Sequence, residues 1–353
     1  MKVLHVINSL AAAGAESLVV TLANEQTKEH TVSIFTFNST NDFFSERLNS
    51  SVNYITFKNS HFFSIKKINS LLRLIEVNDI IHVHLFPAFY IVGFLSFLSK
   101  KRFVYTEHST GNNRRNELYK PLERLIYSQY YNIICISNSV ERNLKIWMNG
   151  NVATKVISNT INYNQISDSV PLSKENLSSK NDSKLLVMVG RFQLEKDQDT
   201  VIRAMKYLPK NYGLILIGVG ERLPKVKQLV NSLLLEDRVK FLGLRTDVYS
   251  ILKTCDYGIL SSHWEGFGIA ALEYMACGLP ALGSNVEGLN EVIPIKENLF
   301  EVSDYSYLAE RILKIENDVS IKKSIIIQQN EHLKNFNIET AVNLHNEVYL
   351  KAL

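Results

Sequence analysis

Residues 257–284, YGILSSHWEGFGIAALEYMACGLPALGS, contain a strand, a loop, a helix and a second strand. The apolar run at the start ends in the loop SSHWEGFG, and the helical stretch that follows stops at Gly278 and Pro280. Apolar residues then resume in a second strand-like run. Buried strands joined by a helix are typical of the parallel sheet of an α/β domain.

The same alternation extends over most of the chain. Apolar runs alternate with helical segments in two series, the first from KVLHVI to NIICIS and the second from KLLVMVG to PALGS. Two series of this kind in 353 residues predict two doubly wound, Rossmann-like α/β domains. Such sheets bind ligands at the carboxyl ends of their strands, so we expect the site in a cleft where the two domains face each other.

The changes in composition predict the domain boundaries. We place a first domain, which would bind the acceptor, at residues 1–162, and a second domain, which would bind the nucleotide, at residues 184–335. Residues 163–183 are polar and rich in Ser and Asn, as in a linker or surface loop. Residues 336–353 are expected to form a C-terminal helix that could pack back on the first domain.

Charge is distributed unevenly between the two halves. Residues 1–160 carry 17 Lys and Arg against 11 Asp and Glu, whereas the rest of the chain carries 22 against 24. Basic segments such as KKR at 100–102 and NNRRNELYK at 112–120 are consistent with an anionic membrane surface, and an ordinary solvated basic face is the alternative. We predict no nucleic-acid partner.

The hydrophobic segments indicate a cytoplasmic protein that binds at most to the inner face of the membrane. The start of the chain lacks the apolar core of a signal peptide. The most apolar run, LFPAFYIVGFLSFLS at 85–99, is interrupted by Pro87 and is shorter than the roughly 20 residues of a spanning helix. We therefore expect it to form a buried helix against the sheet.

The glycines of the loop SSHWEGFG leave the first amides of the next helix unobstructed. Amides at a helix start attract anions, so a phosphate is expected near Gly266 and Gly268. Glu265 and Glu273 lie eight residues apart, about 12 Å along a helix, and could accept hydrogen bonds from hydroxyls at two parts of one elongated ligand. The alternative is that Glu265 complements the helix dipole and Glu273 is a solvated helix residue.

Several segments together resemble one enzyme family. EGFGIAALE resembles the E-x7-E motif of retaining glycosyltransferases of family 4, which have the GT-B fold. AGAESLVVTLA, VISNTIN, LVMVGRFQLEKDQDTVIRAM and VKFLGLRTDVYSILKTCDYG are similar to further segments of that family, in its order. The resemblance implies transfer of a hexose or N-acetylhexosamine, with retention, from a nucleotide sugar, UDP being favoured. It implies as acceptor a hydroxyl of a glycan or lipid-linked molecule in bacterial surface polysaccharide or glycoconjugate assembly.

The resemblance also implies roles for individual residues. Arg191 and Lys196 would bind the diphosphate, where cations stabilise the charge that develops on the leaving group. Glu273 would hold the ribose hydroxyls and Glu265 those of the donor sugar, while His108 would face the sugar and diphosphate from the first domain. The remaining residues implied to contact the nucleotide are Gly14, Leu244, Arg245, Gly266, Phe267, Gly268 and Ile269.

Three positions depart from the family pattern. Ala13 replaces the first glycine of the phosphate loop, Ser17 replaces a common basic residue, and Thr160 replaces the glycine of the turn into the second domain. None of these changes removes a charged group of the implied site, so we expect an active enzyme.

We expect no metal and no cofactor besides the nucleotide sugar, because Arg191, Lys196 and the helix start supply positive charge. Asp197 and Asp199 form a literal DxD sequence, which other transferases use to bind a divalent cation. Their place at a predicted helix start favours a capping role instead.

Three other readings compete with the transferase. A metallohydrolase could use His82 and His84, which point to one side of a strand, with His108 as a third ligand. In the transferase, His84 would either line the acceptor pocket or only terminate its strand. A nucleotide-sugar epimerase of the GT-B fold, or a non-catalytic homologue that supports a partner transferase, would retain the same architecture.

Overall fold

The computed structural model describes residues 1–38, 42–57, 64–111, 115–177 and 183–353. The chain forms two compact units. The first combines Met1–Thr160 with Ile338–Leu353, and the second is Ile161–Asn337. Each unit is built around one parallel sheet with helices between its strands.

Seven parallel strands form the sheet of the first unit within the described residues, in the order β3-β2-β1-β4-β5-β6-β7. The strands are β1 Lys2–Ile7, β2 Thr31–Thr36, β3 Asn53–Ile55, β4 Ile80–His84, β5 Arg102–Glu107, β6 Asn132–Cys135 and β7 Thr154–Val156. The helices are α1 Gly14–Gln26, α2 Ile65–Val77, α3 Ala88–Leu95, α4 Lys120–Tyr127, α5 Asn138–Trp147 and, from the end of the chain, α14 Ile338–Ala352.

The sheet of the second unit has the order β10-β9-β8-β11-β12-β13 among the described strands. The strands are β8 Lys184–Val189, β9 Tyr212–Ile217, β10 Val239–Gly243, β11 Tyr257–Leu260, β12 Ala281–Ser284 and β13 Leu299–Phe300. The helices are α6 Tyr163–Ser167, α7 Gln198–Ala204, α8 Leu223–Ser232, α9 Val248–Leu252, α10 Ile269–Ala276, α11 Leu289–Val292, α12 Tyr305–Asn317 and α13 Val319–Leu333.

The strand orders confirm the predicted doubly wound α/β class. In each sheet the order reverses once, between β1 and β4 in the first unit and between β8 and β11 in the second. Helices on opposite sides of this reversal cover opposite faces of the sheet, and the crevice that they leave is where such sheets bind ligands. The apolar runs of the sequence correspond to the central strands, but they do not indicate the short strands β7 and β13.

The last helix belongs to the first unit. Tyr349 and Ala352 of α14 are buried in one hydrophobic cluster with Val3, Ile80 and Val104 from β1, β4 and β5. The buried positions of α14 recur every three or four residues, as expected for a helix with one apolar face. This helix therefore covers one face of the first sheet.

The segment expected to be a linker packs on the second unit. The Lys253 amine donates to the carbonyl oxygens of Ser167 and Ser169 at 3.1 and 2.6 Å. The Thr254 hydroxyl donates to the carbonyl oxygen of Leu172 at 3.0 Å. Side chains at the end of α9 thus satisfy backbone oxygens of this polar stretch, of which residues 178–182 lie outside the described part.

The most apolar run forms α3 and a following 3₁₀ turn at Ser96–Leu98. The prediction that this run is buried is only partly correct: Phe89 and Val92 are buried, whereas Phe94 and Leu98 are exposed. Pro87 precedes the helix and does not interrupt it. In the described part of the chain, each helix is either too short or too polar to span a lipid bilayer.

Candidate functional site

Two loops meet beside the reversal point of the second sheet. Arg191 follows β8, and Lys196 ends the 3₁₀ turn Leu194–Lys196 after it. The neighbouring strand β11 leads into the loop that carries Glu265. The Lys196 amine forms a salt bridge with Glu265 Oε1, which also accepts a hydrogen bond from the Ser262 hydroxyl at 2.8 Å. The structure thus joins two predicted site residues that are 69 positions apart.

Further hydrogen bonds fix these two loops to each other. The His263 amide donates to the carbonyl oxygen of Glu195 at 2.8 Å, next to Lys196. The Ser261 hydroxyl donates to the carbonyl oxygen of Asp197 at 2.6 Å. The position of Lys196 is therefore set by the backbone and serines at the end of β11, a role of these serines that the sequence motif does not reveal.

The charges of this site differ in their accessibility. The side chains of Lys196 and Glu265 are 19% and 10% exposed, and they neutralise each other. Arg191 is 54% exposed and lies 3.8 Å from Glu195, a long contact for an ion pair. An ammonium has three donors, so Lys196 can hold Glu265 and still donate to a second partner. The site can therefore offer the remaining donors of Lys196 and the guanidinium donors of Arg191 to an anionic ligand.

Helix α10 begins beside this salt bridge. Gly268 precedes its first residue with a φ of +95°, and no described side chain caps the helix start. Gly288 approaches from a neighbouring loop so closely that a Cβ there would lie 2.6 Å from the carbonyl oxygen of Glu265. The implied contact Phe267 has a buried side chain, so only its backbone could serve a ligand here. Ile269 supplies the first helical amide.

Helix α10 is also attached to the end of β8. The buried Tyr274 hydroxyl accepts a hydrogen bond from the Val189 amide at 2.7 Å, directly before the loop of Arg191. Gly258 makes room for the ring, since a Cβ there would lie 2.2 Å from Cγ of Tyr274. The adjacent Glu273 accepts a hydrogen bond from the Tyr249 hydroxyl at 3.1 Å. The position of Glu273 relative to Arg191 is thereby fixed.

The other polar candidates of the second unit have partners within the protein. Arg245 forms two hydrogen bonds with Asp247 at 2.8 and 2.6 Å, while Leu244 is exposed. Asp197 is buried, accepts the Thr200 hydroxyl at 2.6 Å, and has a pKa raised by burial. Asp199 lies 3.0 Å from the Arg222 guanidinium. The two carboxylates of the DxD sequence thus face different partners.

The first unit contains a network of histidines on the sheet face that α14 covers; His5, His82 and His84 are buried, and His108 is partly exposed. His5 Nδ1 lies 3.1 Å from His84 Nε2, and His84 Nδ1 lies 3.4 Å from His108 Nε2. His82 contacts the hydroxyls of Tyr349 and Thr106, each at 2.7 Å. His108 follows β5 as the sequence predicts, but its ring belongs to this network.

Burial keeps these histidines neutral. It lowers the pKa of His5 to about 4 and that of His108 to about 3, and it holds the pKa values of His82 and His84 well below the usual range. An imidazolium in this environment would lose its hydration and lie beside other rings. Burial also lowers the pKa of His345, on α14, to about 4.

His5, His82 and His84 could be read as a metal site, because one ligand atom from each lies within 4.8 Å of the others. His5 was not a sequence candidate, although its alternation with Val3 along β1 places it on the face of His82. Both nitrogens of His5 and His82 already have hydrogen-bond partners, among them Gln26 at 2.8 Å from His5 Nε2. The hydrogen-bonding groups of this cluster are therefore satisfied within the protein.

Gly14 is the remaining residue predicted to contact the nucleotide. It begins α1 and is exposed, and no described side chain caps that helix.

Each half of the chain matches a family model. Residues 12–165 match Glycosyltransferase Family 4, and residues 170–332 match Glycosyl transferases group 1. These matches support a group 1, family 4 glycosyltransferase. The sequence segments that resemble family 4, among them EGFGIAALE, are consistent with these matches.

Curated relatives agree at modest identity. The chain is 31% identical over 175 residues to an N-acetyl-alpha-D-glucosaminyl L-malate synthase of Bacillus anthracis, which covers 48% of this chain and 46% of the relative. It is 26% identical over 310 residues to a UDP-Gal:alpha-D-GlcNAc-diphosphoundecaprenol alpha-1,3-galactosyltransferase of Escherichia coli, covering 81% and 79%. For six such relatives the match spans only 46% to 62% of their length.

A solved structure supports the fold over the full length. HepE of Anabaena, crystallised with UDP and glucose, superposes with a TM-score of 0.87 at 23% identity and with complete coverage of both chains. At this identity the likeness establishes the fold alone. The two α/β units therefore have the fold of GT-B structures.

Proposed function

We propose that this glycosyltransferase moves a hexose or N-acetylhexosamine from a nucleotide diphosphate sugar to a hydroxyl of a glycan or lipid-linked acceptor, with retention of configuration. The Lys196–Glu265 salt bridge beside Arg191 and the start of α10 carries the proposal. A UDP-sugar is the favoured donor, because the E. coli relative is named for UDP-Gal and the Anabaena structure contains UDP and glucose.

The charges of the site suit a departing nucleoside diphosphate. Negative charge on the leaving phosphate grows as the glycosidic bond breaks, so fixed cations and amides stabilise the transition state more than the bound donor. In this proposal Arg191 and the second and third donors of Lys196 bind the diphosphate, together with the first amides of α10. These groups take the part that a divalent cation plays elsewhere, and the reaction needs no metal.

The two glutamates divide the hydroxyls of the donor between them. Glu265 keeps acceptor capacity beyond Lys196 and Ser262, since a carboxylate has about four lone-pair sites. It would accept hydrogen bonds from the transferred sugar. Glu273, oriented by Tyr249, would accept hydrogen bonds from the ribose.

Proton removal from the acceptor falls to the leaving phosphate in this proposal. With a pKa of about 3, His108 is a weak base at neutral pH. As a neutral imidazole it would act only through hydrogen bonds. Catalysis would then consist of positioning and electrostatic stabilisation.

The test is a panel of UDP-, GDP- and ADP-sugars, with nucleotide binding measured by thermal shift and turnover measured as release of nucleoside diphosphate in the presence of candidate acceptors. We expect one nucleotide class to bind and its sugar to be transferred, with the anomeric configuration of the product, read by NMR, equal to that of the donor. Failure of every nucleotide sugar to bind would refute the proposal.

The same panel separates the alternatives. A non-catalytic homologue would bind a nucleotide sugar without turning it over. An epimerase would release a nucleoside diphosphate, or an altered nucleotide sugar, without an acceptor product.

A further inference from the structure

The outer side of helices α3 and α4 exposes large apolar side chains. We call this set the α3–α4 patch; it consists of Phe94, Phe97, Leu98, Leu118, Leu122 and Leu125, all exposed. Leu98 and Leu118 are 72% and 79% exposed. Large apolar side chains that are exposed together on a protein surface mark a candidate site of interaction.

The helical periodicity explains how the patch arises. Helix α3 packs Phe89 and Val92 inward, so that Phe94 and the following 3₁₀ turn project outward. Helix α4 packs Ile126 and Tyr127 inward. On its outer side Leu122 and Leu125 are three residues apart and share one side of the helix, while Leu118 is exposed in the turn directly before it.

Both helices lie on the same face of the first sheet. They connect β4 to β5 and β5 to β6, successive neighbours in one direction, and right-handed crossovers place both on one side. The Tyr90 hydroxyl on α3 donates to Glu123 on α4 at 2.6 Å. The Tyr130 hydroxyl after α4 donates to the carbonyl oxygen of Phe89 at 2.5 Å. The outward residues of the two helices therefore form one surface.

Basic side chains border this surface. Lys100 and Arg102 are exposed directly after the 3₁₀ turn, and Arg124 is exposed between two leucines of the patch. The Arg102 guanidinium lies 5.9 Å from the centre of the exposed Tyr131 ring.

The acidic groups nearby are largely engaged. Glu123 is buried and accepts hydrogen bonds from Tyr90 and from the Trp147 indole. Glu117 pairs with Lys120 at 3.0 Å, and Glu76 accepts the Ser99 hydroxyl at 3.0 Å. Of these contacts only that of Glu117 is an ion pair, so the sign of the border follows from the count of charges. Five basic residues outnumber these three carboxylates and leave a net positive charge: Lys100, Lys101, Arg102, Lys120 and Arg124.

We infer that the α3–α4 patch docks on the surface of an anionic lipid bilayer. Apolar side chains enter the region between headgroups and acyl chains, while the surrounding cations attract anionic headgroups. A twofold dimer through this patch would bring the basic borders of two copies together, so the charge favours the bilayer over a second copy. This inference rests on the proposed function, in which the acceptor is lipid-linked. It adds the surface by which the enzyme would reach such an acceptor.

The experiment measures co-sedimentation of the full chain with phosphatidylcholine vesicles, with and without about one third phosphatidylglycerol. We expect binding to the anionic vesicles that falls as salt shortens the Debye length from about 10 Å toward 3 Å. The variant Phe97→Ser/Leu125→Ser should bind at least tenfold more weakly, and Lys100→Glu/Arg102→Glu should lose roughly fivefold or more for each cation removed.

A matched control comes from the second unit, where Ile327 and Lys323 are exposed on α13. Ile327→Ser/Lys323→Glu should bind vesicles like the wild type, and thermal melting should show that all variants fold. Equal vesicle binding by the patch variants would overturn the inference. So would a wild-type dimer in light scattering that becomes a monomer in Phe97→Ser/Leu125→Ser. Vesicle binding needs no donor, so its failure is distinct from a failure of nucleotide-sugar binding.

Discussion

The first unit has neutral rings near the carboxyl ends of its central strands, whereas the second unit has charges there. Loss of hydration lowers the pKa values of His84 and His108, at the ends of β4 and β5, well below neutral pH. Lys196, Glu265 and Arg191, in the loops after β8 and β11, are partly exposed. The corresponding edges of the two sheets therefore differ: one carries neutral rings and the other carries charged side chains.

Burial decides this difference. Helix α14 covers the face of the first sheet on which the histidines lie, so an ion there would lose its hydration. The charged loops of the second unit project beyond their strands and keep contact with solvent, and they form an ion pair. The charged loops of the second unit can therefore stabilise charge on a ligand, whereas these histidines of the first unit stay neutral.

The largest expected effect comes from removing a cation of the second unit. Lys196→Ala and Arg191→Ala should each lower turnover by roughly 10²- to 10³-fold, as the loss of one electrostatic contact to a transition state does elsewhere. We expect the greater loss for Lys196, because it is less exposed to water. Initial rates of nucleoside diphosphate release measure both.

Arg203→Ala, on the exposed side of α7, is the matched control and should retain wild-type turnover. Thermal melting of each variant separates a lost contact from a lost fold. Near wild-type rates for Lys196→Ala and Arg191→Ala would remove both residues from the diphosphate site.

A smaller effect should separate the two glutamates. Glu273→Gln should weaken UDP and a UDP-sugar alike, by roughly tenfold or more, because both carry the ribose and a charge-assisted bond contributes about 1.5–3 kcal/mol. Glu265→Gln should weaken only the UDP-sugar. It also frees Lys196 from its ion pair, so the affinity for UDP should stay the same or rise.

Calorimetric titration of both variants with both ligands decides between these outcomes. Glu310→Gln, exposed on α12, is the control and should bind as the wild type does. If both site variants bind every ligand like the wild type, the two glutamates have only a structural role.

The sequence indicates the strands and the charged residues of the second unit, but not their pairing. Apolar runs such as YGIL identify β11, and the glycines after it identify the loop that starts α10. The contact between Lys196 and Glu265 depends on β8 and β11 being neighbours, which no local pattern states. The resemblance accordingly assigned these two side chains to different parts of the ligand.

The first unit was less predictable for a related reason. Composition shows that the run around α3 is apolar, but it does not show which side faces the sheet, so the exposure of Phe94 and Leu98 was missed. The network of His5, His84 and His108 joins three separate strands and loops. That these histidines lie close together can be predicted only when the order of the strands is known.

A change of pH should affect the first unit more than the second. A histidine whose pKa is near 6.5 when unfolded and about 4 when folded binds more protons in the unfolded state between these values. Its contribution to stability is therefore complete above pH 6.5 and is lost as the pH falls toward 4. We expect the free energy of unfolding of the first unit to fall by about 1–2 kcal/mol per histidine such as His5 by pH 5.

The two tryptophans allow each unit to be followed separately, since Trp147 lies in the first and Trp264 in the second. Urea unfolding of Trp264→Phe, monitored by Trp147 fluorescence, should shift to lower urea between pH 7 and pH 5. Trp147→Phe, monitored by Trp264, should shift less. Equal shifts of the two units would contradict the comparison between them.

The smallest expected effect is that of removing metal ions. Turnover should be unchanged by EDTA, because Arg191, Lys196 and the start of α10 supply the positive charge that the leaving diphosphate needs. Added Zn²⁺ should not stabilise the first unit toward urea, since binding at His5 and His82 would have to break hydrogen bonds that both rings already make. Activity lost in EDTA and restored by Mn²⁺ would return attention to Asp197 and Asp199. Activity restored only by Zn²⁺ would point to the three histidines and reverse the division of roles between the units.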